Sequence, residues 1–402
     1  MVTLVDSVLK CSPYLWALSS ILPPTIIIAG KNMLTQINLQ THFGGGEVYT
    51  GFLCRALDQL NIPTKILIHP SASFWHELSL PSNTTLIPMM TTDINQSLTK
   101  QDKWIMGHGA LPIDIRKIGG RIKSAIAHMP IQDRSAEPYF DHDMIFPVSA
   151  WVREGLIDEK LPSWSEPIYG VADLEQRQHE SILSKKSRYD WDLRKGRDSL
   201  LSKLEPLIEP FIAHPQFKKK SGITLGLVSR LTPIKQFPLL FSIISPILAK
   251  YPEFNLEIFG SGGYASVRDL NQALTPLKGL VRYWGHQSDV TTAYKEIDYL
   301  MTGLPEKEAL GLNVIESQAC GTPVLAPNAA PFNETVIDNI TGYLYCDPRI
   351  DSGASFEKLL KQLSSLQKPI DPLLATEHLN NFSLDSFVKR LEPIVEWANK
   401  RI

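Results

Sequence analysis

Two glutamates eight residues apart, in Glu308-Ala-Leu-Gly-Leu-Asn-Val-Ile-Glu316, enclose a glycine and are followed at once by Ser-Gln-Ala-Cys-Gly-Thr-Pro-Val-Leu-Ala. No other stretch limits the fold so tightly. Asp298-Tyr-Leu-Met-Thr-Gly303 reads as a short apolar strand, Pro305 to Leu310 as a loop, and Gly311 as the turn into a helix predicted over Leu312–Ala319. Gly321 supplies a left-handed cap and Pro323 cannot continue the helix, so a new strand begins at Val324. Strand, loop, helix and strand make a parallel βαβ unit, which needs a sheet with helices on its faces.

In such a unit a ligand sits at the carboxyl end of the strand, where the amides of Leu312 and Asn313 and the helix dipole face an anion. A diphosphate fits there. Glu308 lies in the loop and Glu316 about one turn into the helix, so the pair reaches different parts of one extended ligand. Two carboxylates repel a diphosphate unless cations are added. Ile223-Thr-Leu-Gly-Leu-Val-Ser-Arg230-Leu-Thr-Pro-Ile-Lys235 supplies them: a buried strand ending in Arg230, with Lys235 five residues on at the start of the next helix. Arginine offers a planar fork and lysine a point charge, a division of labour suited to a pyrophosphate.

The ordered set of Gly-Leu-Val-Ser-Arg230-Leu-(three residues)-Lys235, Glu257-Ile-Phe-Gly260-Ser-Gly262 and Glu308-(seven residues)-Glu316 resembles the retaining glycosyltransferases of family 4. The resemblance implies an α/β chain with the GT-B fold, two Rossmann-like, doubly wound parallel-sheet domains facing across a cleft. It further implies that Glu308 contacts donor-sugar hydroxyls, that Glu316 binds the ribose, and that Arg230 and Lys235 neutralise the nucleotide diphosphate beside Gly311, Leu312 and Asn313. The base-binding wall is expected at Gly260 to Gly263 with Tyr283-Trp-Gly285-His286.

The amino-terminal half supplies the second domain. Met33 to Gln40 reads as its first strand, Thr41-His-Phe-Gly44-Gly45-Gly46 as a glycine loop, and Glu47 to Leu60 as an amphipathic helix. Glycines let a backbone approach a ligand closely, and Gly45 and Gly46 resemble the family's loop near the donor phosphates. Lys65 to His69, Trp104 to Gly109 and Lys123 to His128 read as further strands, the last two carrying a histidine at the end. By resemblance His128 faces the donor sugar and the acceptor, where a near-neutral pKa suits relay or orientation of a hydroxyl proton; His108 reads as a strand-end histidine satisfied by backbone. Ile145 to Ser149 resembles the last strand of this half. Pro167-Ile-Tyr-Gly170-Val-Ala-Asp173 resembles the family's crossover turn, with Tyr169 in place of asparagine and an inserted Ala172.

The expected organisation is an extension over 1–32, an acceptor-side domain over 33–170, and a nucleotide-sugar domain over 171–380, with a charged helical connector at 174–221. A tail over 381–402 returns to the first domain as two helical segments broken at Pro393. The extension is apolar but interrupted by Pro23 and Pro24, so no cleaved signal peptide is expected, and Met33 reads as an alternative start. The connector, with Tyr189-Asp-Trp-Asp-Leu-Arg-Lys-Gly-Arg197 at its centre, has no chemical role on this reading.

A net charge of −2 carries no nucleic-acid footprint. Arg116, Lys117, Arg121 and Lys123 form a local basic cluster, either a solvated face or a contact with anionic lipid worth ~1 kcal/mol per residue. Cysteines at 11, 54, 320 and 346 lack metal spacing, which fits a reducing cytoplasm. Asp141-His-Asp143 offers too few ligands to specify a metal site. No metal and no cofactor are expected beyond the nucleotide-sugar substrate. The expected partners are that donor and a glycan or lipid-linked acceptor, with peripheral contact to the inner membrane's cytoplasmic face and no nucleic acid. The expected function is hexose transfer to a hydroxyl in cell-surface polysaccharide or lipopolysaccharide synthesis; a sugar-nucleotide epimerase and a catalytically silent partner are the rivals.

Overall fold

The computed structural model describes residues 33–132, 134–172, 182–191, 196–208 and 215–402. The extension, Asp173 of the crossover turn and parts of the connector lie outside the described residues. Six strands, β1 (Leu34–Asn38), β2 (Thr64–Ile68), β3 (Thr84–Pro88), β4 (Trp104–Gly107), β5 (Ile122–Ala127) and β6 (Met144–Pro147), form one sheet in the order β3-β2-β1-β4-β5-β6. A second sheet holds β7 (Ile223–Val228), β8 (Phe254–Phe259), β9 (Val281–Tyr283), β10 (Tyr299–Met301), β11 (Val324–Pro327) and β12 (Gly342–Tyr345), in the order β12-β11-β10-β7-β8-β9. Every pairing is parallel, with Leu34 opposite both Thr64 and Trp104, and Leu300 opposite Gly226.

Central strands are buried because helices cover both faces: β8 is buried at every position, Asn255 and Glu257 included, and β7 at all but its first. Gly226 in β7 is required by packing, since a Cβ there would stand 2.4 Å from Ile297 Cδ1. In each sheet the order reverses beside its first strand, between β1 and β4 and between β7 and β10. Connections leaving those two strands diverge to opposite faces and open a crevice at their carboxyl ends. The glycine turn follows β1, His108 follows β4, Arg230 and Lys235 follow β7, and Glu308 follows β10.

The helix after β1 runs over Gly45–Gln59, two residues earlier than the sequence suggests, so Gly45 and Gly46 form its first turn rather than a loop. Crowding explains their identity: a Cβ on Gly46 would lie 2.6 Å from the His108 ring, and one on Gly45 3.3 Å from Leu312 Cδ1.

The tail packs against the Gly45–Gln59 helix as one helix over Leu384–Asn399 with Pro393 inside it, not as two segments broken there. Proline inside a helix costs about 3 kcal/mol. Phe387 and Leu391 before it, and Ile394, Val395, Trp397 and Ala398 after it, are all buried on one face, and each large side chain contributes about 1.5–3 kcal/mol. Burial on both sides of the proline wins. Phe387 meets the Tyr49 ring edge-on at 5.3 Å, and Trp397 packs against Phe146 and Trp164 at 6.1 and 6.3 Å. Ala172 N donates to Phe382 O at 3.0 Å, so the outgoing and returning crossings between the sheets lie side by side.

Two further expectations change. Among its described residues the connector is helical over Gly196–Ile208, whereas residues 182–191 form no helix. The basic cluster is largely spent on local carbonyls: buried Arg116 donates to Glu137 O and Phe140 O at 3.1 and 3.0 Å, Lys123 Nζ to Arg116 O at 3.0 Å, and Arg121 to Thr99 O at 3.1 Å. Lys117 alone of the four is exposed. Among the described residues no helix is long and apolar enough to cross a membrane.

Candidate active site

Two helix amino termini, one from each sheet, face each other at the crevice. Leu312–Ala319 is the helix predicted from the sequence; Gly311 enters it at φ +80°, a left-handed conformation that favours glycine. Its first residue packs on Gly45 at the start of the opposing helix, and on Gly170, where a Cβ would stand 2.5 Å from Leu312 Cδ2. Asn313 Nδ2 donates to Val228 O at 3.4 Å and ties the helix to the end of β7. Arg230, exposed, spans the crevice and donates from Nη1 to Phe43 O at 3.2 Å. Free amides and dipoles from both helices thus converge on one place beside a guanidinium, an arrangement made for an anion.

Lys235 ends a single helical turn, Pro233–Lys235, and its ammonium is ion-paired with Glu308 Oε2. Gly303 lets the two loops touch, since a Cβ there would sit 2.0 Å from Lys235 O, and Leu304 N donates to that same carbonyl at 3.2 Å. Glu308 is fixed from behind by its own amide, which donates to Pro305 O at 2.8 Å. Glu316 faces elsewhere and accepts from the Tyr294 hydroxyl at 2.9 Å. Burial, reinforced by the Glu316 carboxylate, drives that phenol well above its ordinary pKa, so it stays a donor. Within one short segment the two glutamates therefore engage different partners, Lys235 and Tyr294.

His128 does not stand alone. Its ring lies 4.3 Å from that of His108 and meets Tyr49 edge-on at 4.9 Å. Burial lowers both imidazoles, His108 to about 4 and His128 well below its usual range, with the neighbouring His108 adding to the effect. Both are neutral at ordinary pH. His128 Nε2 is buried and has no hydrogen-bond partner among the described residues. His108 Nε2 is 3.6 Å from Glu47 Oε1, and its Nδ1 is 3.4 Å from Thr50 Oγ1. Glu47 was missed by sequence reasoning; it is buried, its carboxyl is raised by desolvation, and Asn38 Nδ2 donates to it at 3.5 Å. An acid directly after three glycines is the signal that marks it.

Gly260 and Gly262 follow β8, and Gly285 follows β9. They are points of backbone contact: a Cβ on Gly260 would stand 1.9 Å from Ser229 O, on Gly262 2.3 Å from Leu231 O, and on Gly285, at φ +70°, 2.3 Å from Ser187 O. The first two hold the segment carrying Arg230 against β8; the third lies under the connector. Asp141-His-Asp143 is structural, with His142 Nε2 accepting from Leu111 N at 3.1 Å and Asp143 Oδ2 from Lys123 N at 2.7 Å. Among the described residues no group of three or more histidine, cysteine, aspartate or glutamate side chains is arranged to hold a metal.

A cavity of about 660 Å³ opens next to Pro305 and Glu306, between Trp151 of the first sheet's layer and Asn328 and Arg349 of the second. Nearby, Glu334 accepts from the amides of Ala150 and Trp151, both at 2.7 Å, and from Tyr169 Oη at 3.3 Å.

Residues 210–370 match the family described as Glycosyl transferases group 1. The chain is 28% identical over 169 residues to a subunit of the human phosphatidylinositol N-acetylglucosaminyltransferase, covering 41% of this chain and 33% of the relative. It is 27% identical over 202 residues to D-inositol 3-phosphate glycosyltransferase of Mycobacterium marinum, covering 46% and 42%. These matches span less than half the length of the curated relatives. Among solved structures, Anabaena HepE in complex with UDP and glucose superposes with a TM-score of 0.66 at 15% identity, over 90% of this chain and 99% of that one. The lipopolysaccharide outer core galactosyltransferase WaaB in its apo form gives 0.60 at 13% identity, over 91% and 99%. The chain thus has the GT-B fold and, through residues 210–370, resembles the glycosyl transferases of group 1.

Proposed function

We propose that this chain is a retaining, metal-independent glycosyltransferase of family 4, which moves a hexose-type sugar from a nucleotide-sugar to a hydroxyl of a glycan or glycolipid. The meeting of two helix amino termini at Gly45 and Leu312, spanned by Arg230 and flanked by the Lys235–Glu308 pair, carries this reading. That cradle suits a diphosphate and is built from both sheets, so a donor bound there is presented to the first domain.

In the proposed step the bond between the anomeric carbon and the diphosphate oxygen breaks while the acceptor oxygen attacks from the same face. The acceptor proton passes to the departing diphosphate, and no enzyme nucleophile is needed. Arg230, Lys235 and the amides of Leu312 and Asn313 neutralise the leaving group, fixed donors of a kind worth several kcal/mol, about 3–4 for a single donor. Glu308 holds the sugar hydroxyls, Glu316 the ribose, and neutral His128 offers its unpaired Nε2 to a hydroxyl of donor or acceptor. No cofactor beyond the donor enters.

A lipid-linked or surface-glycan acceptor is supported by relatives named for phosphatidylinositol, inositol phosphate and diacylglycerol substrates. The proposed setting is the cytoplasmic face of the membrane, peripherally bound.

The test is thermal shift with nucleotide diphosphates and nucleotide-sugars, wild type beside Lys235→Ala, followed by analysis of the product anomer. A ligand at a hundred times its Kd adds ~2.7 kcal/mol. A shift with one nucleotide that Lys235→Ala abolishes, and a product of retained configuration, are expected. No shift with any nucleotide would remove the donor assignment, and a free epimerised sugar-nucleotide would replace transfer by epimerisation.

A further inference from the structure

Residues 186–191 belong to the connector, for which donor binding as described has no use, yet they lie across the carboxyl ends of β8 and β9. Tyr189 bridges Gly262 in parallel, Asp190 N donates to Gly262 O at 2.8 Å, and Gly262 N donates to Arg188 O at 3.1 Å. Ser261 Oγ donates to Asp190 Oδ1 at 2.5 Å. One strand over, Lys186 N donates to Trp284 O at 2.9 Å and Gln287 Nε2 to Ser184 O at 2.9 Å. These bonds occupy backbone groups of the glycine turn expected to face a nucleobase. A base at the ends of β8 and β9 therefore meets connector side chains.

Those side chains have the chemistry of base recognition. The Tyr189 ring stacks on Trp191 at 4.8 Å and 29° and on Tyr264 at 5.9 Å and 22°. The Arg188 guanidinium lies 5.3 Å from the ring centres of both Tyr189 and Tyr283. The Tyr283 hydroxyl is buried with no hydrogen-bond partner among the described residues, an uncompensated polar group that a ligand can satisfy. Stacked aromatic faces accept any base, whereas a guanidinium carries only donors and so prefers a base edge with a carbonyl.

We propose, on the donor reading above, that Lys186–Trp191 forms the outer wall of the nucleobase pocket, with the Trp191–Tyr189–Tyr264 stack as its aromatic side, held together by Tyr189, and Arg188 selecting a base that carries an exocyclic carbonyl, uracil or guanine. Adenine presents its amino group where those bases present oxygen, and meets donor with donor.

Titration calorimetry on the full chain with UDP, GDP, ADP and inorganic pyrophosphate tests this, with wild type beside Arg188→Ala, Tyr189→Ala and Tyr189→Phe. UDP or GDP is expected to bind about tenfold or more tighter than ADP; Arg188→Ala should erase that preference, and Tyr189→Ala should weaken every nucleoside diphosphate about tenfold. Tyr189→Phe, which keeps the ring, should weaken them less than Tyr189→Ala, and pyrophosphate affinity should stay within about twofold throughout. The assignment is overturned if the two alanine variants keep wild-type affinity and preference, or if they weaken pyrophosphate as much as nucleotide. Wild type that binds no nucleoside diphosphate overturns the donor reading itself, and this one with it, so the two failures are distinguishable.

Discussion

His108 and His128 share one buried stack, and only His108 also touches a carboxylate and a hydroxyl, Glu47 and Thr50. Its folded pKa of about 4 lies below the unfolded value of ~6.5, so the unfolded chain takes up the proton first. The stabilisation is complete above about 6.5 and is lost progressively as pH falls towards 4, with about 3 kcal/mol at stake. Tm should fall across that window, and His108→Gln should flatten the decline; equal slopes for both proteins would exclude His108 as its source. At the neighbouring site, Glu308→Gln keeps shape but removes the charge paired with Lys235, and turnover should fall by about a hundredfold or more if the carboxylate holds the sugar. Unchanged turnover would take Glu308 out of the reaction. Glu308, Glu316, Arg230 and Lys235 were legible because their spacing along the chain sets their places around one turn and one helix. The His108–His128 stack and Glu47 were not, since β1, β4 and β5 bring them together from residues far apart in sequence.

Among the elements, the Leu384–Asn399 helix shows why local rules are insufficient. Proline signals a break, yet six buried residues on one face keep the helix continuous through Pro393. Phe387 is its anchor, fully buried and edge-on to Tyr49, whose hydroxyl donates to Ile168 O at 2.9 Å. Phe387→Ala should cost about 3–5 kcal/mol, measured by denaturant unfolding; a loss below 1 kcal/mol, about that of an exposed position, would mean the helix is not seated there. By contrast, the Leu312–Ala319 helix follows its sequence signals at both ends, because Gly311 and Gly321, both at positive φ, fix its start and stop locally.

Across the whole molecule, the two sheets share the crevice and are joined at several places besides the paired crossings, among them Leu310 and Ile315, which lie in one core with Tyr49 and Ile168. Glu334 is one: both carboxylate oxygens cap the start of the Ala150–Asp158 helix on the opposing sheet. Glu334→Ala leaves two amides without that partner and should cost about 1–3 kcal/mol. It should also raise the radius of gyration in small-angle scattering as the sheets gain freedom. A variant with unchanged Tm and scattering would show that other contacts set their approach.

Alternating apolar runs and glycine turns were enough to predict parallel βαβ units, the Leu312–Ala319 helix and the charged residues that follow β7 and β10, because each depends on neighbours within one turn or one loop. Tertiary structure alone decided which helix start opposes which, that Gly45 and Gly46 belong to a helix, that Arg116 turns inward, and that the connector lies over Gly262 and Gly285. The physical reason is range. Strand order and crossing positions juxtapose residues far apart in the chain, and the crowding, burial and hydrogen bonds that fix their roles exist only once the sheets have formed.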